Sequence, residues 1–221
     1  MPYRRTDKVV RKLAARKEAI LDAARDLAAD GGMNAVQIVP VAERAGIAAG
    51  TVYRYFPGKT DLVAALVEAL TQNEIAALVR AGDAAPGPLS ALAAVIVTFA
   101  ARMLAHRRLA FALIAEPVEP ALDAARIASR RTLAKTFETR ISAAMAARHL
   151  PDQDAGVAAT ALLGALVEGL IGPLAPAADP AKVLVEVQML ALFALRALGV
   201  PDARAKGLVV QTAMPARHPQ N

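Results

Sequence analysis

The feature that most constrains the fold is the stretch AVQIVPVAERAGIAAGTVYRYFPGKTDL, residues 35–62. It predicts a short helix over about residues 38–45, a turn at Gly46 and a second short helix over about residues 49–56. Glycine is favoured just after a helix because it tolerates the left-handed backbone conformation found there. A proline-glycine pair then ends the second helix. Two short helices joined by a glycine-containing turn indicate a helix-turn-helix, whose second helix enters the major groove of DNA.

The second helix of this motif carries groups suited to DNA. Small residues at its start allow close approach to the DNA backbone and leave N–H groups of the first turn available to phosphate oxygens. Thr51 can bond a phosphate or a base edge, and Tyr53, Arg54 and Tyr55 follow within two turns. Phosphate contacts fix the position of a protein on DNA, whereas contacts to base edges carry sequence information. The alternative is that the two tyrosines only pack beneath a small helical core.

Positive charge is concentrated in the part of the chain that carries this motif. The chain of 221 residues has a formal charge of +6, and residues 1–60 hold 11 Lys and Arg against 6 acidic residues. Five of the six surplus charges therefore lie in this quarter, as neutralisation of phosphates requires. A secretory leader is not expected, because no uninterrupted apolar segment follows the basic start. We expect a cytoplasmic protein.

The stretch AERAGIAAGTVYRYFPGKTDL resembles the DNA-binding signature of TetR-type (tetracycline-repressor-like) transcriptional regulators. The shared features are the Ala-x-x-Ala-Gly turn, a helix of the form Gly-Thr-hydrophobic-Tyr-x-aromatic-Phe, and a following lysine. The resemblance covers roughly the first 65 residues. It implies that the small residues lie at the groove floor, that tyrosines and lysine contact the DNA backbone, and that the arginine lies at the groove edge. The residues expected to contact DNA are Val39, Arg44, Ala48, Ala49, Gly50, Thr51, Tyr53, Arg54, Tyr55 and Lys59.

One departure from the family pattern lies at the start of the motif. Such regulators usually cap the first helix with Thr or Ser, and this chain has Val36-Gln37 instead. Glutamine is a poor N-cap, so we expect a capping bond and a hydroxyl contact to phosphate to be missing. Pro40 has no N–H to be capped, which reduces the loss. Val39 offers only an apolar contact, for example to a thymine methyl group.

The composition predicts an all-α protein. Hydrophobic residues make up 56% of the chain and aromatics only 4%, so the apolar content is mostly Ala, Leu and Val. We predict a helix-turn-helix head over residues 1–60 and an effector-binding and dimerisation domain over residues 61–221. A linker is expected near residues 82–88, a break at Gly172-Pro173 and a partly disordered tail over residues 200–221. About nine helices are predicted, near residues 8–29, 38–45, 49–56, 59–81, 89–106, 108–115, 121–148, 152–171 and 181–198.

The last two predicted helices are apolar around nearly their full circumference. Such helices lie in a core, in a membrane or against a partner chain. The charges at Glu168, Glu186 and Arg196 and the break between the helices argue against a membrane span. TetR-like proteins dimerise through such helices, as the resemblance implies, and a dimer would place two recognition helices on a palindromic operator. The expected interface residues are Ala158, Leu162, Ala165, Gly169, Met189 and Phe193.

The central helices, over about residues 89–148, are expected to enclose an effector cavity. Few aromatics and many small residues favour an apolar, adaptable cavity and a lipophilic effector. Ordinary core packing is the alternative for each apolar residue. The candidate lining is Phe99, Met103, His106, Phe111, Ile114, Glu116, Phe137, Met145 and Gln188.

The leading hypothesis is a ligand-responsive transcriptional regulator, most simply a homodimeric repressor released from its operator by a small molecule. An enzyme is not favoured, because the sequence offers no nucleophile–base pair, phosphate-binding glycine loop or metal cluster. There is no cysteine, and His106, His149 and His218 lie far apart. We therefore expect no cofactor and no metal. The other alternative is a basic helical module that docks on acidic protein or anionic membrane without sequence-specific DNA binding.

Overall fold

A computed structural model describes residues 7–117 and 120–212 of the chain, and within these ranges every regular element is helical. The predicted all-α class is confirmed, with ten α-helices in this part of the chain rather than about nine. In order they are α1 (Asp7–Gly31), a 3-10 helix (Met33–Ala35), α2 (Ile38–Arg44), α3 (Ala49–Tyr55), α4 (Lys59–Asp83), α5 (Pro88–Ala105), α6 (Arg107–Ile114), α7 (Pro120–Ala146), α8 (Ala155–Leu174), α9 (Pro180–Ala197) and α10 (Asp202–Gln211).

The first three helices and the first half of α4 enclose one cluster of buried side chains, which we call the head core. Its members include Ile20 on α1, Val41 on α2, Val52 on α3 and Leu62 on α4, all inaccessible to solvent. Their spacing places the apolar face of each short helix inward, as an amphipathic helix requires. The head core therefore fixes how α2 and α3 are presented to solvent.

The remaining helices enclose a second and larger cluster, the body core. Its largest fully buried side chains include Ile96 on α5, Phe137 and Ile141 on α7, and Leu166 on α8. Phe99 meets the Phe137 ring edge-on, with ring centroids 6.0 Å apart and an interplanar angle of 82°. Such an edge-to-face pair is a favourable aromatic arrangement. The body core thus holds the central helices in fixed register.

Two helices contribute to both cores. α4 gives Leu62 and Leu66 to the head core and Leu78 to the body core. α6 gives Leu109 to the head core and Ala110 to the body core. The head is therefore joined to the body by packed helices. The segment predicted as a linker, residues 82–88, is the short connection between α4 and α5.

The structure differs from the sequence-based prediction near the end of the chain. Gly172-Pro173 does not break the helix there, because α8 continues to Leu174. Only one backbone bond is lost to the proline so near the helix end, and the Ala175 N–H still donates to Ile171 O over 3.1 Å. Residues 202–211 form α10, with Ala205 and Leu208 in the body core. The rest of the predicted disordered tail, residues 213–221, lies outside the described residues, as do residues 1–6.

Three helices, α4, α5 and α8, are long and apolar enough to cross a membrane by length and composition alone. In this fold, between 39% and 56% of the residues in their most apolar windows are buried inside the protein. Their apolar side chains supply much of the two cores. Packing within the chain therefore accounts for a large part of their apolar character.

Candidate nucleic-acid interface and ligand cavity

The turn between α2 and α3 has the geometry of a glycine-terminated helix end. Gly46 has φ of 65°, and the Ile47 N–H donates to Ala42 O over 2.9 Å. The Gly46 N–H donates to Glu43 O over 3.1 Å. These two bonds satisfy carbonyl groups that the end of α2 would otherwise leave unpaired. The turn fixes the direction in which α3 leaves α2.

The start of α2 has the weak cap that the sequence predicts. Gln37 is the N-cap residue and makes no side-chain bond to the free N–H groups of the first turn. Its amide nitrogen instead donates to Asn34 O over 3.1 Å. Val36 is fully buried in the head core. Val36, two positions before α2, is therefore held by apolar packing, and the helix start has no capping hydroxyl.

The recognition helix α3 divides into a buried and an exposed side. Val52 and Phe56 pack into the head core. Gly50 and Arg54 are exposed, and Tyr53 retains 52% of its accessible surface. The other residues expected to contact DNA from this region are half-buried: Ala49, Thr51, Tyr55 and Lys59.

The remaining candidates flank α3. Val39 on α2 is 54% exposed, and Ala48, the N-cap residue of α3, is also exposed. Arg44 is exposed and forms an ion pair with Asp30 of α1, with 3.1 Å between Nη2 and Oδ2. The guanidinium of Arg44 is therefore already bonded within the head. Among the candidates, a cation, a phenol and small side chains are therefore in contact with solvent.

A cavity of about 720 Å³ lies where α1, α4, α5, α6, α7 and α8 meet. Its volume is within the range usual for small-molecule sites. Four of the nine residues predicted to line an effector cavity contribute to its wall: Phe99, Met103, His106 and Ile114.

The other predicted lining residues lie elsewhere. Phe137 is fully buried against Phe99, and Phe111 and Met145 pack at the edge of the body core. Gln188 is exposed on α9. For Phe137 the arrangement is core packing, which was the alternative to a lining role.

Glu116 joins the body to the head. Its Oε2 accepts a hydrogen bond from the Met33 N–H over 2.9 Å, and its Oε1 lies 3.4 Å from Nη1 of Arg108. Gly32 has φ of 79°, and a Cβ atom there would lie 2.5 Å from the Glu116 carboxylate. The carboxylate therefore occupies the space that a side chain at position 32 would fill. We call this contact the Gly32–Glu116 joint.

The cavity wall contains a buried ion pair that sequence reasoning missed. Glu74 is 7% exposed, and its Oε2 accepts a bond from Nε of Arg102 over 2.8 Å. Its Oε1 has no hydrogen-bond partner among the described residues. Burial raises the pKa of Glu74 above its ordinary value of 4.5, and the bond to Arg102 opposes this only in part. The available signal was a charge on the apolar face of α4, since Glu74 precedes Leu78 by four residues.

The predicted dimer-interface residues are divided between surface and core. Met189 and Phe193 on α9 are 57% and 56% exposed, and Val185 belongs to the same stripe at four-residue spacing. Ala158 and Ala165 on α8 are half-buried.

The other two predicted interface residues serve contacts within the chain. Leu162 is buried in the body core. Gly169 lies against Leu190 of α9, because a Cβ atom at position 169 would come within 2.7 Å of Leu190 Cδ1. Position 169 therefore lies at the contact between α8 and α9. Among the described residues, no three His, Asp or Glu side chains come together as metal ligands.

The fold and the site define a class of protein: a helix-turn-helix head packed on a helical body, with a cavity lined by both. Residues 20–66 match the family of bacterial regulatory proteins described as the tetR family. The resemblance inferred from the motif is therefore confirmed over this segment, which is about a fifth of the chain.

Among curated proteins, the HTH-type transcriptional repressor KstR of Rhodococcus jostii (strain RHA1) is 53% identical over 58 residues, which is 26% of each chain. The match thus spans about a quarter of the length of that relative.

Among solved structures, the crystal structure of RolR in complex with resorcinol matches 90% of this chain and 95% of its own, with a TM-score of 0.69 and 23% identity. A TetR-like transcriptional regulator from Rhodococcus sp. RHA1 matches 84% of this chain and 96% of its own, with a TM-score of 0.60 and 25% identity. The likeness to RolR extends over head and body, whereas the sequence likeness to KstR covers only about a quarter of the chain.

Proposed function

We propose that this protein is a DNA-binding transcriptional regulator, acting as a cytoplasmic homodimeric repressor that a small molecule releases from a palindromic operator. The observation that carries the proposal is the exposure of Tyr53 and Arg54 on a recognition helix whose other side is locked into the head core. A helix held from one side and exposed on the other can enter the major groove as a rigid unit. We assign DNA contact to residues 1–60 and effector binding and dimerisation to residues 61–221.

The comparisons support the two halves of this proposal separately. KstR is a transcriptional repressor, and its likeness to this chain covers 58 residues, close in number to the residues assigned here to the head. RolR was crystallised with resorcinol, and its fold matches this chain over head and body. We transfer repression and ligand binding to this chain on that basis. No catalytic role is proposed.

The dimer is supported by the exposed stripe on α9. Val185, Met189 and Phe193 retain more than half of their accessible surface. Large apolar side chains in one exposed row are typical of a protein interface. A two-fold contact through this stripe would present two α3 helices, and a two-fold protein reads a two-fold DNA site.

The proposed response to ligand acts through the helices shared by both cores. α4 and α6 each line the cavity and also pack in the head core. A ligand that fits better when these helices tilt would favour a conformer whose heads no longer match the operator spacing. The ligand shifts the equilibrium only by its difference in affinity for the two conformers.

The proposal is tested by selecting bound duplexes from a random pool with the full chain. We expect enrichment of one palindromic sequence. Tyr53→Phe should weaken binding to all duplexes, because a phosphate donor is lost, whereas Thr51→Ala should change the preferred sequence. Thr132→Ala is the matched control, since this exposed threonine on α7 bonds only the Ala128 carbonyl of its own helix.

The alternative function, a basic helical module that docks on acidic protein or anionic membrane, predicts a different outcome. Equal binding to heparin, anionic vesicles and every duplex, all abolished by salt, would reject sequence-specific regulation. Unchanged affinity after replacing Thr51, Tyr53 and Lys59 together by alanine would reject the assignment of α3.

A further inference from the structure

The wall of the 720 Å³ cavity carries a large excess of positive charge. Six arginines line it, against the two carboxylates Asp26 and Glu74. A lipophilic effector, as the composition favours, would leave these cations without an opposite charge in the ligand. The cavity is therefore unlike a purely apolar site.

Three of the six arginines are neutralised by groups already in place. Arg25 forms ion pairs with Asp22 and Asp26, and Arg102 pairs with Glu74. Arg107 donates to carbonyl oxygens at the C-terminal end of α8, which carries partial negative charge. The other three arginines are Arg108, Arg126 and Arg130. Arg108 forms a longer ion pair, 3.4 Å, with Glu116, so the excess charge belongs mainly to Arg126 and Arg130.

These three arginines belong to one end of the cavity, between α6 and α7. Arg126 donates to Ala112 O over 2.9 Å and to the backbone carbonyl of Glu116 over 3.0 Å. Arg108 reaches the carboxylate of the same Glu116. The charges of Arg126 and Arg130 repel each other, and burial lowers the pKa of Arg126 below its ordinary value. The carboxylates of Asp123 and Glu116 oppose this lowering only in part. A half-buried cation whose direct hydrogen-bond partners are neutral carbonyls therefore still gains when an anion approaches.

Apolar side chains make up much of the remaining cavity wall. Side chains from α4, α5, α7 and α8 supply it, namely Val67, Leu70, Phe99, Met103, Leu133 and Leu163. A cavity with a cationic end and an apolar interior suits a molecule with one acidic group and a hydrocarbon body.

We propose that the effector is an amphipathic anion whose carboxylate or phosphate group is bound by Arg108, Arg126 and Arg130 while its apolar body fills the remaining cavity. This inference rests on the proposed function, because it names the chemical class of the ligand that acts on the regulator. Carboxylate and phosphate share the chemistry that guanidinium groups recognise.

The test is isothermal titration of the full chain, without DNA, with four probes that share one alkyl chain: dodecanoate, dodecyl phosphate, dodecanol and dodecyltrimethylammonium. Each is used below its micelle concentration. We expect at least one of the two anions to bind about tenfold or more tightly than dodecanol, because a charge-assisted bond to arginine is stronger than a neutral one. The cation should bind most weakly.

Variants locate the anion site. The double variant Arg126→Gln with Arg130→Gln should bring anion affinity down to that of dodecanol and leave dodecanol binding unchanged. Arg130→Gln alone changes an exposed residue and should cause part of this loss of anion affinity. It replaces the double variant in the test if the double variant does not fold. Arg204→Gln is the matched control, because Arg204 is exposed on α10 and does not line the cavity.

The outcomes separate this inference from the proposed function. If dodecanol binds as tightly as both anions, if the variants keep the preference, or if no probe binds, the anionic class is wrong. If only one anion binds tightly, the result identifies carboxylate or phosphate as the recognised group. A failed duplex selection would overturn the regulator and leave these titrations valid.

Discussion

At the scale of single residues, Gly32 and Glu116 show how one contact couples distant parts of the chain. The carboxylate receives the Met33 N–H across 83 positions of sequence and occupies the space beside Gly32. The sequence predicted Glu116 only as a possible contact to the ligand. No local pattern indicates its true partner, because a bond between residues so far apart depends on how α1 and α6 pack.

Replacing Gly32 by alanine should destabilise the protein by about 1–3 kcal/mol, because φ of 79° is unfavourable for alanine and its Cβ would displace the carboxylate. Urea denaturation measures the loss. Gly207→Ala is the control: it lies in α10 with open space around it and should stabilise by up to about 1 kcal/mol. Equal effects at the two positions would contradict a special role for the Gly32–Glu116 joint.

Glu74 should make stability depend on pH. Since burial raises its pKa in the folded state above 4.5, the folded chain holds this proton more tightly than the unfolded chain. The contribution is fully present below pH 4.5 and is lost as pH rises through the folded-state pKa. Glu74→Gln removes the titrating group and keeps an acceptor for Arg102. The unfolding free energy of the wild-type protein minus that of Glu74→Gln should therefore fall as pH rises above 4.5.

Urea titrations at a series of pH values test this expectation. Glu68→Gln changes an exposed glutamate on the same helix and should retain the pH slope of the wild-type protein. A difference between wild-type and Glu74→Gln that grows with pH would contradict the direction of the shift.

At the scale of helices, the sequence predicts an element well where its signals are local. α3 was predicted over about residues 49–56 and is observed over Ala49–Tyr55, since glycine and proline mark its ends. α10 was missed because DARAKGLVVQ carries only two buried side chains and shows weak apolar periodicity. Its place depends on packing against α5 and α9, which no short pattern shows.

The stripe on α9 gives a prediction about assembly. Phe193→Glu should raise the dimer dissociation constant by about tenfold or more, because a charge would have to be desolvated within the proposed apolar contact. Sedimentation velocity over a range of protein concentrations measures this. Val210→Glu, on an α10 side chain that is 80% exposed, is the control and should leave assembly unchanged. A wild-type protein that stays monomeric at every concentration would reject the interface.

At the scale of the whole molecule, charge and shape should act together on DNA. The surplus of positive charge lies in the head, and a dimer presents it twice. Helix order and the basic head could be predicted from sequence. It could not be predicted that α4 and α6 each contribute to both cores. The sequence pattern of a helix shows that it has an apolar face, but not which other helices pack against that face.

Lys59→Gln should reduce the salt dependence of operator binding. The plot of log affinity against log salt has a negative slope, and each lost phosphate contact reduces the magnitude of that slope by about 0.9. A dimer with two substituted heads should therefore show a slope that is smaller in magnitude by about 2. Fluorescence anisotropy at several salt concentrations gives the slope. Lys206→Gln, on α10 and bonded to Asp202, is the control and should leave the slope unchanged.

The passage of α4 through both cores determines how this protein can be divided. A fragment that stops at residue 60 would lack Leu62 and Leu66, and each buried leucine contributes about 1.5–3 kcal/mol. The two together contribute about 3–6 kcal/mol, which is comparable to the lower end of the stability of a small domain, about 5–15 kcal/mol. A DNA-binding unit transferred to another protein must therefore include α4 to at least residue 70. It must also replace the packing that Leu109 supplies to the head core. The motif marks the proposed site of DNA contact, and the unit that can fold around it is longer.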